Sequence, residues 1–288
     1  MQYDASINGL NVGPTYDITI SKMDGLTGSP PVRTNLVNRL GYHGAFYGRD
    51  LYGPRTVTLT LNIRPNRTNS GSTLDSLSEQ LERALVAQQA GTLQLILNGG
   101  KRVLNCRPLN WDLPRTTDMA ADRWGKATVQ LVAADPFIYD ASESLLSLPC
   151  YSPGLGGWTI PWTFPWTFTP TPSGSPGTAF AVNNGSIETG PWFRVYGPFN
   201  IGFGLRNLST GALLQVGMVM QSSDWVDVDM NQETILFQSF SNRRSSVIFG
   251  TDFWKLPPGG STVRLETLGA TGGSAQMHYR SAYLALRA

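Results

Sequence analysis

The composition of the chain changes near residue 140, where an alternating apolar and polar pattern gives way to an uncharged stretch. Residues 124–140 (WGKATVQLVAADPFIYD) alternate apolar and polar side chains up to Leu131, as a strand with one buried face does. Pro136 has no N–H for a neighbouring strand and biases Asp135 away from the helical region, so we expect the strand to end there. Every one of residues 144–187 is uncharged. We therefore predict that this strand closes a first domain and that the uncharged stretch joins it to a second.

The composition narrows the class of protein. The 288 residues suffice for two ordinary domains, and 31 glycines with 19 prolines favour the many turns of sheet proteins. The formal net charge of +2 is near neutral, so the sequence indicates no basic face of the kind that binds nucleic acid. No apolar run reaches the ~20 residues of a membrane helix. Only two cysteines and no signal-peptide pattern lead us to expect folding in the cytoplasm.

The first domain, residues 1–145, is predicted as an α+β unit dominated by sheet. Residues 55–63 (RTVTLTLNI) form the clearest strand, because every second residue from Val57 onward is apolar. A hairpin is predicted from TLQLIL and KRVLNCR, joined by a tight turn at residues 98–100 (Asn-Gly-Gly). Residues 42–54, rich in Gly and Tyr, are predicted to form an exposed hairpin.

One helix is predicted at about residues 74–90. Leucines recur there at helical spacing, and we interpret their stripe as facing the core, with a partner-binding face as the alternative. Thr73 is the predicted N-cap, and Gly91 the predicted C-cap.

Residues 146–178 are predicted to be a connector rich in Pro, Trp and Thr. Within it, every second position of residues 158–168 is large and apolar, which gives an extended chain one apolar face. We predict an extended strap that docks on its own subunit or on a neighbour through Trp158, Trp162 and Trp166. A platform on which sugars stack is the alternative for these three residues.

Residues 179–288 are predicted to form a β-sandwich, because short strands there are regularly separated by turn residues. The fold class is therefore mainly β: an α+β N-terminal domain with one helix and a C-terminal sandwich, joined by the extended strap.

The sequence offers little for catalysis, and we predict no catalytic, cofactor or metal site. The only histidines, His43 and His278, are far apart in sequence and lack neighbours at ligand spacing. Asp227 opens a D-x-D-x-N pattern that resembles a calcium loop, but Gln232 and Gln238 stand where Gly and Glu are needed.

Three stretches of the chain, in order, carry a resemblance to a known family. The first runs from Gly44 through Gly48 and Arg55 into VTLTLNI, followed by the helix and hairpin. The second is the strand ending in ADPFIYD. The third is the series NNGSIETGPWFRVYGP, IGFGLRNLSTGALL, DWVDVDM and FWKLPPGGSTVRLE. This ordered set, which covers most of the chain, resembles the distal tail proteins of siphophages, especially those of actinobacterial hosts.

The resemblance implies a structural, non-enzymatic role in the virion tail. Proteins of this family form a hexameric ring where the tail tube meets the tail tip, and an outer galectin-like sandwich can attach fibres or receptor-binding proteins. The implied partners are copies of the chain itself, the tail tube protein, and hub, fibre or receptor-binding proteins. The sugar-binding signature of galectins is absent, so the word galectin-like refers to the fold alone.

A ring requires two different faces of one subunit to match. Our candidates for one face are aromatic and arginine side chains, which often anchor interfaces: Tyr42, Phe46, Tyr47, Tyr52 and Arg55. The alternative is that Tyr42, Phe46 and Tyr47 only cover the first domain's own core.

Two other functions stay open from sequence alone. One is a carbohydrate-binding module or host-receptor-binding tail protein that uses exposed tryptophans, Trp225 included. The other is a cell-wall hydrolase acting through Asp227 and Asp229.

Overall fold

The computed structural model describes residues 4–67, 71–86, 91–97, 100–114, 124–152, 175–270 and 272–286. They belong to two compact units: Met1–Ser142 with Tyr283–Ala288, and Glu143–Ala282. The described chain is mainly β and contains a single α-helix, which confirms the predicted fold class.

The first unit is built on an antiparallel sheet. In chain order its strands are β1 (Asp4–Ile7), β2 (Leu10–Val12), β3 (Ile18–Asp24), β4 (Val32–Arg33), β5 (Leu36–Asn38), β6 (Ala45–Tyr47), β7 (Leu51–Tyr52), β8 (Arg55–Ile63), β9 (Gly91–Leu97), β10 (Gly100–Asp112), β11 (Gly125–Ala133) and β12 (Ile138–Asp140). The main sheet has the order β2-β1-β9-β10-β11-β8-β3, with β12 paired beside β10. Strands β4 to β7 lie outside this sheet and form two small ladders of their own.

The centre of the first core comes from β8 and β11. The two strands pair without a break from Gly125↔Ile63 to Ala133↔Arg55, so their inward side chains share one face. Val57, Leu59, Leu61 and Ile63 are all fully buried, and the predicted strand is confirmed. The predicted hairpin is confirmed as well, because β9 and β10 pair from Leu97↔Gly100 outward.

The helix α1 spans Leu74–Ala84 and begins at the predicted N-cap. The Thr73 hydroxyl accepts a hydrogen bond from the Ser76 N–H at 3.1 Å, and the Ser76 hydroxyl accepts one from the Thr73 N–H at 3.0 Å. The predicted helix end was wrong: Leu85 is the C-cap, and Gly91 opens β9. The Asn8 side chain donates to the Ala84 carbonyl at 2.7 Å, so a distant residue satisfies the last turn.

The second unit is a sandwich of two sheets. Its strands are β13 (Ser144–Pro149), β14 (Thr178–Asn183), β15 (Trp192–Tyr196), β16 (Phe203–Asn207), β17 (Leu213–Val216), β18 (Trp225–Asp229), β19 (Thr234–Phe237), β20 (Ser241–Asn242), β21 (Gly259–Thr267) and β22 (Ser274–Tyr279), with a 3-10 turn at Arg244–Ser246. The sheet orders are β13-β22-β15-β18-β19-β20 and β14-β21-β16-β17. Inward side chains of both sheets, such as Phe193 and Val263, form one core, as a sandwich requires.

The unit bounds differ from the predicted domain bounds at two places. Strand β13 pairs along its whole length with β22 in the second unit, whereas the prediction divided its residues between the first domain and the connector. The last strand, β23 (Ala282–Tyr283), is followed by residues of the first unit, although we assigned them to the sandwich. Residues 153–174, with Trp158, Trp162 and Trp166, lie outside the described residues, so the docked strap stays a prediction.

Candidate functional site: an exposed apolar arm

Residues 32–52, called the arm below, run out and back as two short antiparallel ladders. The inner ladder pairs Val32 with Tyr52 and Arg33 with Leu51. The outer ladder joins β5 and β6 from Leu36↔Tyr47 to Asn38↔Ala45. At the tip the Arg39 N–H donates to the Gly44 carbonyl at 3.1 Å. The arm is therefore a β-ribbon, and the predicted hairpin at residues 42–54 was wrong: β6 and β7 both lie on its returning side and pair with β5 and β4.

The large apolar side chains of the arm are exposed. Leu40, Tyr47 and Tyr42 have exposed fractions of 96%, 88% and 81%. The full set of exposed apolar residues in the arm is Val32, Leu36, Val37, Leu40, Tyr42, Phe46, Tyr47 and Leu51. No arm residue belongs to the described core of the first unit. The interpretation of Tyr42, Phe46 and Tyr47 as cover for that core therefore does not hold.

The outer ladder is apolar on both of its faces. Successive residues of a strand point to opposite faces, so the pair Leu36–Tyr47 lies on one face and the pair Val37–Phe46 on the other. An isolated two-stranded ribbon is at best marginally stable in water. Contiguous exposed apolar surface marks an interaction site. This geometry suits a ribbon that is covered by a partner on both sides.

The root of the arm, in contrast, is held within the first unit. The Gly53 N–H donates to the Pro31 carbonyl at 2.7 Å, which closes the two strands at their base. The half-buried Tyr52 packs edge-to-face on Phe137, with ring centroids 5.8 Å apart. Tyr52 thus contributes to anchoring the arm, whereas Tyr42, Phe46 and Tyr47 further out are exposed, with Arg39 over the Phe46 ring at 4.7 Å.

Arg55, which we predicted as an interface anchor, is only 1% exposed. Its guanidinium donates to backbone carbonyl oxygens of Gly25, Leu26, Gly28, Pro136 and Leu284, and burial lowers its pKa. An interface role for Arg55 is therefore wrong. The strand alternation already indicated that Arg55 is buried, because Arg55 has the same parity as the inward Val57 and Leu59.

The carboxylates considered for hydrolysis serve local structure. Arg194 donates to both oxygens of Asp227, at 2.7 and 3.0 Å, and the Ser239 hydroxyl donates to Asp227 at 2.7 Å. The hydrogen bond to Asp227 raises the pKa of Arg194. Asp229 accepts hydrogen bonds from the N–H groups of the turn that follows it. Both groups are therefore engaged within the second unit.

Within the described ranges, no three His, Cys, Asp or Glu side chains come together as metal ligands. The same ranges contain no helix of the length and apolar character that a membrane crossing needs. Trp225 is half-buried, and its indole N–H lies 3.5 Å from the Ser239 hydroxyl, so part of its ring is covered.

Comparison with known proteins gives likeness in fold without likeness in sequence. No family model and no curated protein matches the sequence. Two chains from structures of the phage P2 baseplate in its activated conformation, with Ca and with Sr, have TM-scores of 0.48 and 0.46, both at 11% identity. They cover 99% and 97% of this chain, and the same shares of their own. These scores are too low to support a statement about the fold.

The Dit protein of phage SPP1 is more similar. Its crystal structure is described as a paradigm of the hub adsorption apparatus in phages that infect Gram-positive bacteria. The match has a TM-score of 0.65 at 11% identity and covers 97% of this chain and 98% of that one. The fold expected from the resemblance to siphophage distal tail proteins is thereby confirmed: this chain folds like the Dit protein of SPP1.

Proposed function

We propose that this chain is a structural protein of a phage tail tip, and that it acts by assembling with copies of itself into a ring. The observation that carries the proposal is the arm, an apolar ribbon whose large side chains are left exposed by the described residues of the chain. The likeness in fold to a phage hub protein supports the same function. The protein acts as a scaffold, and its surfaces bind neighbours without transforming a substrate.

The arm suits a heterologous contact between identical subunits. In such a contact the arm of one subunit binds a different face of the next subunit. The ring closes when an integer number of these equal rotations adds up to a full turn. Tyr42, Phe46 and Tyr47 would supply the buried aromatic anchors of this interface. The six-fold order comes from the family resemblance, as do the further partners: the tail tube protein and hub, fibre or receptor-binding proteins. The ring belongs to the virion tail.

The proposal is tested by the mass of the purified chain in solution, measured by size exclusion with light scattering. We expect a discrete oligomer, six copies for a hexamer. Replacing Leu40 and Tyr47 together by Asp should leave a folded monomer, because both side chains are exposed and lie outside the core. Phe249→Asp is the matched control, since Phe249 is fully exposed in the second unit and its change should leave the oligomer intact.

A wild-type chain that stays monomeric at high concentration would contradict this function. A monomer that also binds glycans would favour the carbohydrate-binding alternative. An oligomer that persists in the Leu40→Asp, Tyr47→Asp variant would exclude the arm as its interface.

A further inference from the structure

Both sides of the arm root meet at one buried side chain, Arg55. Its Nη1 lies 2.7 to 3.3 Å from three carbonyl oxygens within residues 25–28, the loop that leads into the arm. Its Nε donates to the Pro136 carbonyl at 2.8 Å, and its Nη2 donates to the Leu284 carbonyl. Arg55 itself opens β8, the strand that follows the arm. One guanidinium therefore joins the entry and the exit of the arm to two other segments.

The described partners of Arg55 are all neutral backbone oxygens. A guanidinium carries five N–H donors and accepts no hydrogen bond, so a buried arginine needs acceptors on every side. A buried charged donor that loses its acceptor is strongly destabilising, because water cannot replace the lost partner. The position of Arg55 is thus determined by all of the segments that surround it, and loss of any one of them loosens the rest.

The segment Tyr283–Leu286 is attached to the same place by contacts that do not involve Arg55. Leu286 is 7% exposed and belongs to the core of the first unit. Its N–H donates to the Leu26 carbonyl at 2.8 Å, within the loop that leads into the arm. The ring of Tyr283 lies under the guanidinium of Arg102, 4.2 Å from its central carbon. This segment therefore holds the entry loop directly and also through Arg55.

The entry loop can approach β8 this closely because of one glycine. Gly25 has a φ of +87°, and a Cβ atom there would lie 2.2 Å from the carbonyl oxygen of Thr56. Only glycine fits such a contact with backbone. The loop and the start of β8 are thus packed too closely at Gly25 for any larger residue.

We propose that the segment Tyr283–Leu286 is a latch that holds the arm root through Arg55, so that the arm is ordered for assembly only while this segment is docked. Arg55 is a positioning residue in this device, since it acts on the arm through backbone carbonyls without touching a partner. The inference rests on the proposed function for its link to assembly. The link between latch and arm root rests on the contacts alone.

The latch is tested with two matched substitutions, Leu286→Ala and Leu77→Ala. Both leucines are buried in the core of the first unit, at 7% and 4% exposed, so both variants lose a similar apolar contact. Leu77 lies on α1, and none of the hydrogen-bond partners of Arg55 belongs to this helix. Hydrogen exchange is measured at the Gly53 amide, which bonds across the arm root. The chain carries Leu40→Asp and Tyr47→Asp in this measurement, which keeps the root out of any interface.

We expect Leu286→Ala to speed exchange at Gly53 by about tenfold or more, as loss of a buried leucine contact warrants, and Leu77→Ala to leave it unchanged. Arg55→Lys should resemble Leu286→Ala, because a lysine ammonium has three donors and cannot span the same carbonyls. In the chain with an intact arm, both latch variants should weaken assembly, whereas Leu77→Ala should not.

Equal exchange at Gly53 in the Leu286→Ala and Leu77→Ala variants would overturn the latch, and so would unchanged exchange in Leu286→Ala. A wild-type chain that does not oligomerise would overturn the proposed ring instead. The exchange measurement decides the latch separately from that outcome, since it uses a chain without a functional arm.

Discussion

The arm and strand β8, which follows it in the sequence, differ in the burial of their apolar side chains. Strand β8 carries its apolar residues on one face and buries them completely in the core that also contains the leucines of α1. The outer ladder of the arm carries apolar residues on both faces and buries neither. Both segments form strands, so strand propensity does not separate them. What packs over the face of each strand within the chain decides whether its apolar residues become core or stay exposed.

The largest expected effect contrasts a side chain of β8 with one of the arm. Leu59→Ala removes a fully buried side chain and should lower the free energy of unfolding of the first unit by about 2–5 kcal/mol. Phe46→Ala, on the exposed ladder, should change it by less than about 0.5 kcal/mol in the monomer. Denaturant unfolding followed by circular dichroism measures both. Similar losses in the two variants would mean that the arm packs on its own unit.

An intermediate effect is expected at the helix N-terminus. Thr73→Ala removes a side-chain acceptor from the capping box and should destabilise the first unit by about 1 kcal/mol. Thr34→Ala is the control, because Thr34 is an exposed threonine between the two arm ladders. Its replacement should be near neutral in the same unfolding experiment. A neutral Thr73→Ala variant would show that the cap contributes nothing to this core.

The smallest expected effect concerns the rate at which a buried cysteine is alkylated. Cys106 is buried, and burial raises the pKa of its thiol to about 11, so the reactive thiolate is scarce at pH 8. Alkylation of Cys106 at that pH should therefore be slow in the native protein. Leu59→Ala should accelerate it by favouring opening of the core, and Phe46→Ala should not. Mass spectrometry of the labelled peptide measures the rate, and rapid labelling of the native chain would contradict the burial of this thiol.

The sequence predicted correctly those elements that depend on residues close together in the chain. The alternation in β8 and the Asn-Gly-Gly sequence between β9 and β10 each lie within one short window. The end of α1 was misplaced because its last carbonyl is satisfied by Asn8, which lies far away in the sequence. Arg55 was misassigned for the same reason, since the carbonyls that make its burial tolerable come from three separate segments. Residues 42–54 were correctly expected to be largely exposed, but the strands that pair with them, β4 and β5, lie outside the predicted hairpin.

The pairing of β12 with β23 has a consequence for how such a chain can diversify. The polypeptide leaves the first unit just after β12 and re-enters it at Tyr283, so the second unit is an insertion between two paired strands. Since its entry and exit are adjacent, another module of different size could occupy the same position without altering the arm, the first core or Arg55. Recombination at this junction would exchange the second unit and leave the fold of the first unit unchanged.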